Sequence, residues 1–396
     1  MLRSPEVTTV DAVRAPESAR EAAWKATMSG TTLEAGPVLA HGDGARVVVG
    51  DNLPLRAMDR QARENAEASL LVAGATLSSG AGARARPEDP DPLRTCFERD
   101  RDRVLHSSAF RRLAGKTQVF VFPKDHQRTR LTHALEVAQV ATAVARATGL
   151  NVALTEAIAL GHDCGHGPGG HASEEAFAPY LEGGYNHAIW GAEVVLAPLN
   201  LCQETVDGIR NHSWSLPSPR TPEGAVVSWA DRCAYCAHDL EDAASAGIVD
   251  VSQLPDDVSG VVGRRRSEQL RAFVGELVDC IVTTGHIGMR QPFAGALAAL
   301  RAFNYEHIYT RPSSVAQGDA VIAVLRALVD YYCESPSRLP PGAAEAPLAL
   351  PAERLPAPER VCRAITYVGG MTDAYAFDTA VRLLGWDPAK LPVRQH

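Results

Sequence analysis

Along most of the chain, apolar residues recur at intervals of three and four, the spacing that turns one side of a helix toward a core. After Thr132, a stripe of Leu135, Ala138, Ala141 or Thr142, and Ala145 predicts such a helix, and Gly149 is placed to stop it. Asn151, a good N-cap, opens the next run, in which Leu154, Ile158 and His162 share a face. A glycine- and proline-rich stretch, CGHGPGG, interrupts the pattern before expected helices at 171–181 and 186–196. Pro222 and Glu223 open a long helix running to 244. The segments 267–285, 291–304, 314–334, 357–369 and 371–384 also read as helices, and the Pro/Ala-rich stretch 336–358 as a loop. Alternating, strand-like runs are almost absent. The fold class that follows is mainly α.

Residues 1–90 read differently: they hold Gly, Ala, Ser and acidic clusters and end in the turn-rich SSGAGARARPEDPDP. A short apolar run at 45–50 reads as a strand and 63–73 as a short helix. This part is expected to be a partly ordered arm or a packing extension. At about 150 residues per domain, 396 residues suggest two or three units. The 45% hydrophobic and 22% charged residues exclude a wholly disordered or fibrous chain. With 39 Lys+Arg against 47 Asp+Glu, the net charge of −8 gives no global positive field to recruit nucleic acid or an anionic membrane. No apolar run nears the roughly 18 residues of a bilayer span. The opening residues lack the apolar core of an export signal, and the eight scattered cysteines suit a reducing compartment, so a cytoplasmic protein is expected.

Candidate chemistry concentrates between residues 133 and 242. His133, His162, His166, His171, His187 and His212 fall within 80 residues, with Asp163 beside His162. Divalent transition metals accept imidazole nitrogen and carboxylate oxygen, and such ligands must converge from separate elements. In the long helix, Asp231, Tyr235, Asp239 and Asp242 form one stripe. Val226, Val227, Trp229, Ala234 and Leu240 flank it, which predicts a buried helix whose carboxylates need a metal or ligand to offset burial. Residues 94–130 carry ten Lys/Arg against four acids, a local balance of +6. Arg130 stands three residues before His133, so it can open the same helix on the side of the proposed ligands. An arginine beside a divalent cation suits a phosphate ester. The CxxC of Cys233 and Cys236 has no second pair and lies mid-helix, so it reads as packing. GHGPGG lacks the strand and Lys-Ser/Thr of a phosphate loop. Residues 304–311 read as a helix end near the pocket.

These residues carry a resemblance. RDRVLHSSAFRRLAGKTQVF, RTRLTHALEVAQVA, GHDCGHGPGGHASEEAF, SWADRCAYCAHDLEDA and YVGGMTDAYA, in order from about residue 94 to 386, resemble the HD-domain deoxynucleoside triphosphate triphosphohydrolases, the dGTPase family. The resemblance implies an HD-domain helical bundle with additional C-terminal helices. It divides the chain into an N-terminal extension (1–90), a phosphohydrolase core (91–250) and a C-terminal helical part of the same catalytic unit (251–396). It implies His133, His162, Asp163 and Asp231 as metal ligands. His171 would handle the proton with Glu174 as its acidic partner. His166 and His187 would contact the phosphates, with His166 among the catalytic groups, and Arg130 and Arg232 would be cationic phosphate ligands. Tyr235 and Asp239 would line the sugar, and Gln118 would lie at the 3′-hydroxyl.

The reaction so implied is hydrolysis of deoxynucleoside triphosphates at the α-phosphorus, releasing deoxynucleoside and inorganic triphosphate. The ion would be Mn or Mg, with Fe, Co, Ni or Zn also compatible with these ligands. A nucleotide effector and a tetrameric or hexameric homo-oligomer are the implied partners. Three alternatives stay open: an HD phosphohydrolase of nucleoside monophosphates, one of signalling nucleotides, and a non-catalytic nucleotide sensor or single-strand nucleic-acid binder. Where many members read HDLGHPPFGH this chain reads HDCGHGPGGH, which predicts a more flexible loop. The sequence AIWGAEVV after His187 and the short stretch to Asp231 leave base preference open.

Overall fold

A computed structural model describes residues 18–28, 30–32, 36–41, 57–123, 126–340 and 355–392 of the chain. It divides into two compact units, residues 1–57 and 58–396. In the first, helix α1 (Ala19–Met28) buries none of its residues, and strands β1 (Thr31–Thr32) and β2 (Val38–Leu39) pair antiparallel. The run at 45–50 lies outside the described residues.

The second unit is helical, as the apolar spacing predicts. It opens with α2 (Arg60–Leu70), α3 (Cys96–His106) and α4 (Ser108–Arg112). The centre is α5 (Arg130–Thr148), α6 (Val152–Gly161), α7 (His171–Phe177), α8 (His187–Trp190), α9 (Gln203–Arg210) and α10 (Pro222–Ser245). Then follow α11 (Asp256–Val262), α12 (Arg266–Thr284), α13 (Phe293–Asn304), α14 (Pro312–Glu334), α15 (Ala357–Gly369) and α16 (Asp373–Leu384). Helix ends obey local chemistry. Thr129 and Thr132 cap α5 reciprocally, so the helix begins at Arg130, and Gly149 ends it in the left-handed conformation. The Asn151 side chain accepts from Leu154 N and starts α6. The run expected at 171–181 is an α-helix only to Phe177, with a 3-10 turn over Ala178–Tyr180 that includes Pro179. The one expected at 186–196 is a single α-turn followed by a π-turn, Gly191–Val195.

Two apolar clusters make the core. The larger gathers α3, α5, α6, α9, α10, α12 and α13: Val137, Ala141 and Val144 meet Leu154 and Ile158, with Val226, Val227 and Ala230 among them, all fully or almost fully buried. The smaller joins α7 to α14, α15 and α16 through Phe177, Val324, Leu328, Ile365 and Phe377. Cys233 and Cys236 are buried free thiols within the larger cluster. Residues 76–84 are held by buried carboxylates. Glu223 accepts from Thr76 N, Thr76 Oγ1 and Asn151 N at 3.0, 2.7 and 3.0 Å. Asp100 pairs with Arg84 at 2.6 Å, both within the core.

Lys116 and Asp373 bridge the two clusters. The Lys116 Nζ donates to the carbonyls of His166 and Gly369 at 2.5 and 2.9 Å. Asp373 accepts from Thr117 N and Gly169 N at 2.9 and 2.8 Å. Burial pushes the Lys116 ammonium down from its usual 10.5 to about 8. Between those two values the unfolded chain holds this proton and the folded chain does not, so raising the pH through the window favours folding. Urea unfolding at pH 7 and pH 9.5 is therefore expected to show wild type gaining on Lys116→Met by about 2 kcal/mol at the higher pH. A difference that stays flat would contradict the depressed value.

Candidate active site: a histidine–aspartate cluster beside buried arginine

Helices α5, α6 and α10 and the loop 163–170 bring four residues to one point. His133 comes from the first turn of α5, His162 and Asp163 from the end of α6, and Asp231 from α10. The His133 Nε2 is 3.1 Å from Asp231 Oδ1. The His162 Nε2 is 3.6 Å from the same oxygen and 3.4 Å from Asp163 Oδ1. Two donors about 2.1 Å from one ion stand roughly 3.0–3.5 Å apart at octahedral to tetrahedral angles. His133, His162 and Asp231 form one group whose donor atoms all lie within 4.8 Å of one another, as an ion would require, and Asp163 joins His162 through a neighbouring group with His212. The orientation fits as well: His162 Nδ1 lies 2.6 Å from the Ala159 carbonyl, so it carries the proton, and the buried Nε2 has no hydrogen-bond partner among the described residues. Burial alone would raise the Asp163 and Asp231 carboxyls. Arg130 and the imidazoles of His162, His166 and His133 hold the first well below its usual range, and His133, His162 and His212 do the same for the second.

Arg130 is the other half of this arrangement. It is 1% exposed, and its Nη1 donates to Asp163 Oδ2 at 2.7 Å. Its Nε and Nη2 are buried without a partner among the described residues, a costly state for guanidinium N–H groups. Arg130, His133, Asp163 and Asp231 line a cavity of about 500 Å³. The same cavity is lined by Gln118, His166, His171, His187, Arg232, Tyr235 and Asp239, so the structure gathers almost every candidate of the sequence. His162 and Glu174 stand behind the wall. Asp242 faces away and is bound by Arg128, which also holds Glu136 and Glu241.

One pairing differs from expectation. Glu174 is not the hydrogen-bond partner of His171; its Oε1 accepts from His187 Nδ1 at 2.6 Å and from His187 N at 2.9 Å. Burial pushes the Glu174 carboxyl up, yet the His187 hydrogen bond and charge, with His171 nearby, hold it at about 2. His187 stacks on His166 with ring centres 3.7 Å apart, and its Nε2 faces His212 Nε2 at 3.2 Å. The His171 ring is open to the cavity. Desolvation by the cavity walls, with the Arg130 charge, keeps its imidazole below its usual value and therefore neutral at pH 7.

The loop also differs from expectation: its glycines bind it tightly. A side-chain carbon at Gly165 would meet the His187 carbonyl at 2.0 Å, and one at Gly170, where φ is +62°, would meet Arg130 at 2.5 Å. Tyr185 donates to the Gly165 carbonyl at 2.6 Å, and Ser173 ties Gly167 N to Gly170 O. The far wall comes from Tyr309, in the segment 304–311 expected near the pocket, and from Arg301, to which the sequence assigned no role. Tyr309, in a π-turn over Tyr305–Tyr309, donates to Asp239 at 2.5 Å, and Arg301 donates to the Tyr235 hydroxyl at 2.9 Å. Desolvation raises the Asp239 carboxyl to about 7 despite that bond. His212 and Trp214 complete the rim. His212 was visible among the clustered histidines; nothing in the sequence pairs it with His187.

Two family models match the chain, an HD domain over residues 130–236 and a phosphohydrolase-associated domain over residues 287–382. The deoxyguanosinetriphosphate triphosphohydrolase-like protein of Caldanaerobacter subterraneus subsp. tengcongensis is 39% identical over 291 residues, spanning 72% of this chain and 83% of that protein. The protein of the same name from Desulfatibacillum aliphaticivorans is 38% identical over 309 residues, spanning 72% and 86%. That of Paracoccus denitrificans is 34% identical over 363 residues, spanning 74% and 94%.

The cluster geometry has a direct consequence for metal uptake. Mn²⁺ at a hundredfold excess over its Kd is expected to stabilise the fold by roughly 2.7 kcal/mol. Thermal unfolding and calorimetric titration should show that gain in wild type and lose it in His162→Ala and Asp231→Asn. Equal stabilisation of the variants would mean that the ion binds elsewhere.

Proposed function

This chain belongs to the HD-domain deoxyguanosinetriphosphate triphosphohydrolase-like proteins, and on that premise we propose that it hydrolyses deoxynucleoside triphosphates to deoxynucleoside and inorganic triphosphate. One observation carries the reading: the buried Arg130 keeps two N–H groups without partners directly beside a cluster shaped for a divalent cation. An anion rich in oxygen satisfies both, and a polyphosphate reaches Arg130 and Arg232 together.

In this reading His133, His162, Asp163 and Asp231 hold the ion. When bound, a divalent ion there supplies positive charge for phosphoryl oxygens and acidifies a water. Arg130 and Arg232 balance charge on the triphosphate, and His166 and His187 line its path. Water adds to the α-phosphorus, the bond from that phosphorus to the 5′-oxygen breaks, and the 5′-oxygen takes a proton. His171 is the group we assign to that proton. Its imidazole is held neutral largely by desolvation and by Arg130, and a bound triphosphate cancels the Arg130 charge, moving the imidazole back toward protonation. Glu174 orients the adjacent His187. Tyr235, Asp239 and Gln118 face the same cavity, and we assign the deoxyribose to Tyr235 and Asp239. The resemblance also supports a tetrameric or hexameric homo-oligomer; light scattering at micromolar concentration should return a mass well above the 42.3 kDa monomer, and a monomeric mass would refute it.

Turnover of the four deoxynucleoside triphosphates with Mn²⁺ or Mg²⁺, singly and mixed, tests the reaction by phosphorus NMR. Inorganic triphosphate is the expected product; monophosphate with pyrophosphate would overturn the proposal. His171→Ala should lower kcat about 100-fold or more while leaving Mn²⁺ uptake intact.

A further inference from the structure

The loop between α9 and α10 places a half-exposed indole at the cavity rim. Trp214 is 46% exposed, yet three contacts fix it. Its Nε1 donates to the Ser228 carbonyl at 3.3 Å, and its ring meets Trp229 edge-on at 4.6 Å. The guanidinium of Arg232 lies over its face, 3.6 Å from the ring centre. Ser228 also donates from Oγ to the His212 carbonyl at 2.5 Å, so one residue of α10 ties this loop down twice. The Arg232 Nε is buried and has no hydrogen-bond partner among the described residues. Among the described residues no carboxylate is paired with Arg232, unlike Arg130.

We propose that Trp214 is a positioning residue that presents the Arg232 guanidinium flat to the cavity for the anionic tail of a phosphorylated ligand. The inference rests on the reading of the site as a triphosphate pocket and adds to it the element that sets affinity for that tail. A free arginine side chain samples many rotamers and loses that freedom on binding. Stacked on an indole it is already ordered, and its in-plane N–H groups stay available because stacking uses only the face. A carboxylate partner would hold the side chain equally well, but it would occupy those donors and repel phosphate. Trp229, following Ser228 on α10, packs edge-on against the indole, so the ring that carries the cation is itself held in place.

The test compares Trp214→Leu, which keeps apolar bulk, with Trp214→Phe, which keeps an aromatic face. Binding of inorganic triphosphate to the Mn²⁺-loaded protein, followed by calorimetry, should weaken about five- to tenfold in Trp214→Leu and by less than twofold in Trp214→Phe, in line with a partly desolvated cation–π contact. In turnover, Trp214→Leu should raise KM by a similar factor with kcat nearly unchanged. Unaltered triphosphate affinity in Trp214→Leu overturns the inference. So does a change confined to discrimination among bases, which would make the indole a nucleobase contact. A loss of thermal stability equal in both variants, without the difference in affinity, would reduce it to packing. Wild-type product identity separates the two levels: if wild type releases no triphosphate, the underlying reading fails; if it does and Trp214→Leu binds triphosphate normally, only the role of Trp214 fails.

Discussion

The buried pair between Arg130 and Asp163 organises the site. Its 2.7 Å bond joins the first residue of α5 to the loop after α6 and uses only Oδ2 of the carboxylate. The other oxygen is thereby left facing the His162 and His166 imidazoles, each 3.4 Å away. One carboxylate thus neutralises a cation that would otherwise be intolerable inside the protein and still offers a ligand atom to a metal. Breaking the pair by removing either partner leaves an uncompensated charge at the centre of the molecule. The positions of α5 and α6 are set by apolar packing of Val137, Ala141 and Val144 on Leu154 and Ile158, and this packing brings the two charges together.

Helix α10 shows how one element serves both stability and chemistry. Its small residues, Ala230, Cys233, Ala234 and Ala237, let neighbouring helices come close, while Asp231, Tyr235 and Asp239 project along one side into the cavity. The acidic stripe splits functionally at its end. Asp239 is covered by Tyr309, whereas Asp242 is turned into a cluster of three carboxylates closed by Arg128. Desolvation dominates at Asp239 and raises it toward neutrality, so a hydrogen-bond donor as well as an acceptor is available there near pH 7.

Much of this was legible in the sequence. Gly149, Asn151 and Pro222 mark helix ends by local rules that tertiary contacts do not override, and the family resemblance named His133, His162, Asp163 and Asp231, of which the structure gathers His133, His162 and Asp231 in one group. Other features depend on direction in space. Glu174 lies three residues after His171, which suggests a pair on one helical face, but its carboxylate instead meets the backbone and ring of His187. Helix α9 is only eight residues long, with Val206 and Ile209 as its apolar residues and Gly208 packed directly on Ile158, so its stripe is too short to stand out. Tyr309 lies in the segment expected near the pocket, whereas Arg301 and Trp214 reach the cavity from a helix and a loop whose sequences show no chemistry of their own. The replacement of an aromatic by glycine at Gly169 suggested looseness; the Val321 side chain takes that space, 2.4 Å from a carbon built on Gly169.

A separate glycine contact governs how the two stacked imidazoles are spaced. At Gly165 and Gly191 main chain rests on main chain, with 3.0 Å from a carbon built on Gly191 to the Gly165 amide nitrogen. Peptide units are rigid and cannot hop between rotamers, so the 3.7 Å separation of His166 and His187 is registered by stiff parts. Repacking of the surrounding side chains, whether by warming or by sequence drift elsewhere in the core, leaves that gauge untouched. Any residue larger than glycine at either position would have to re-space the pair.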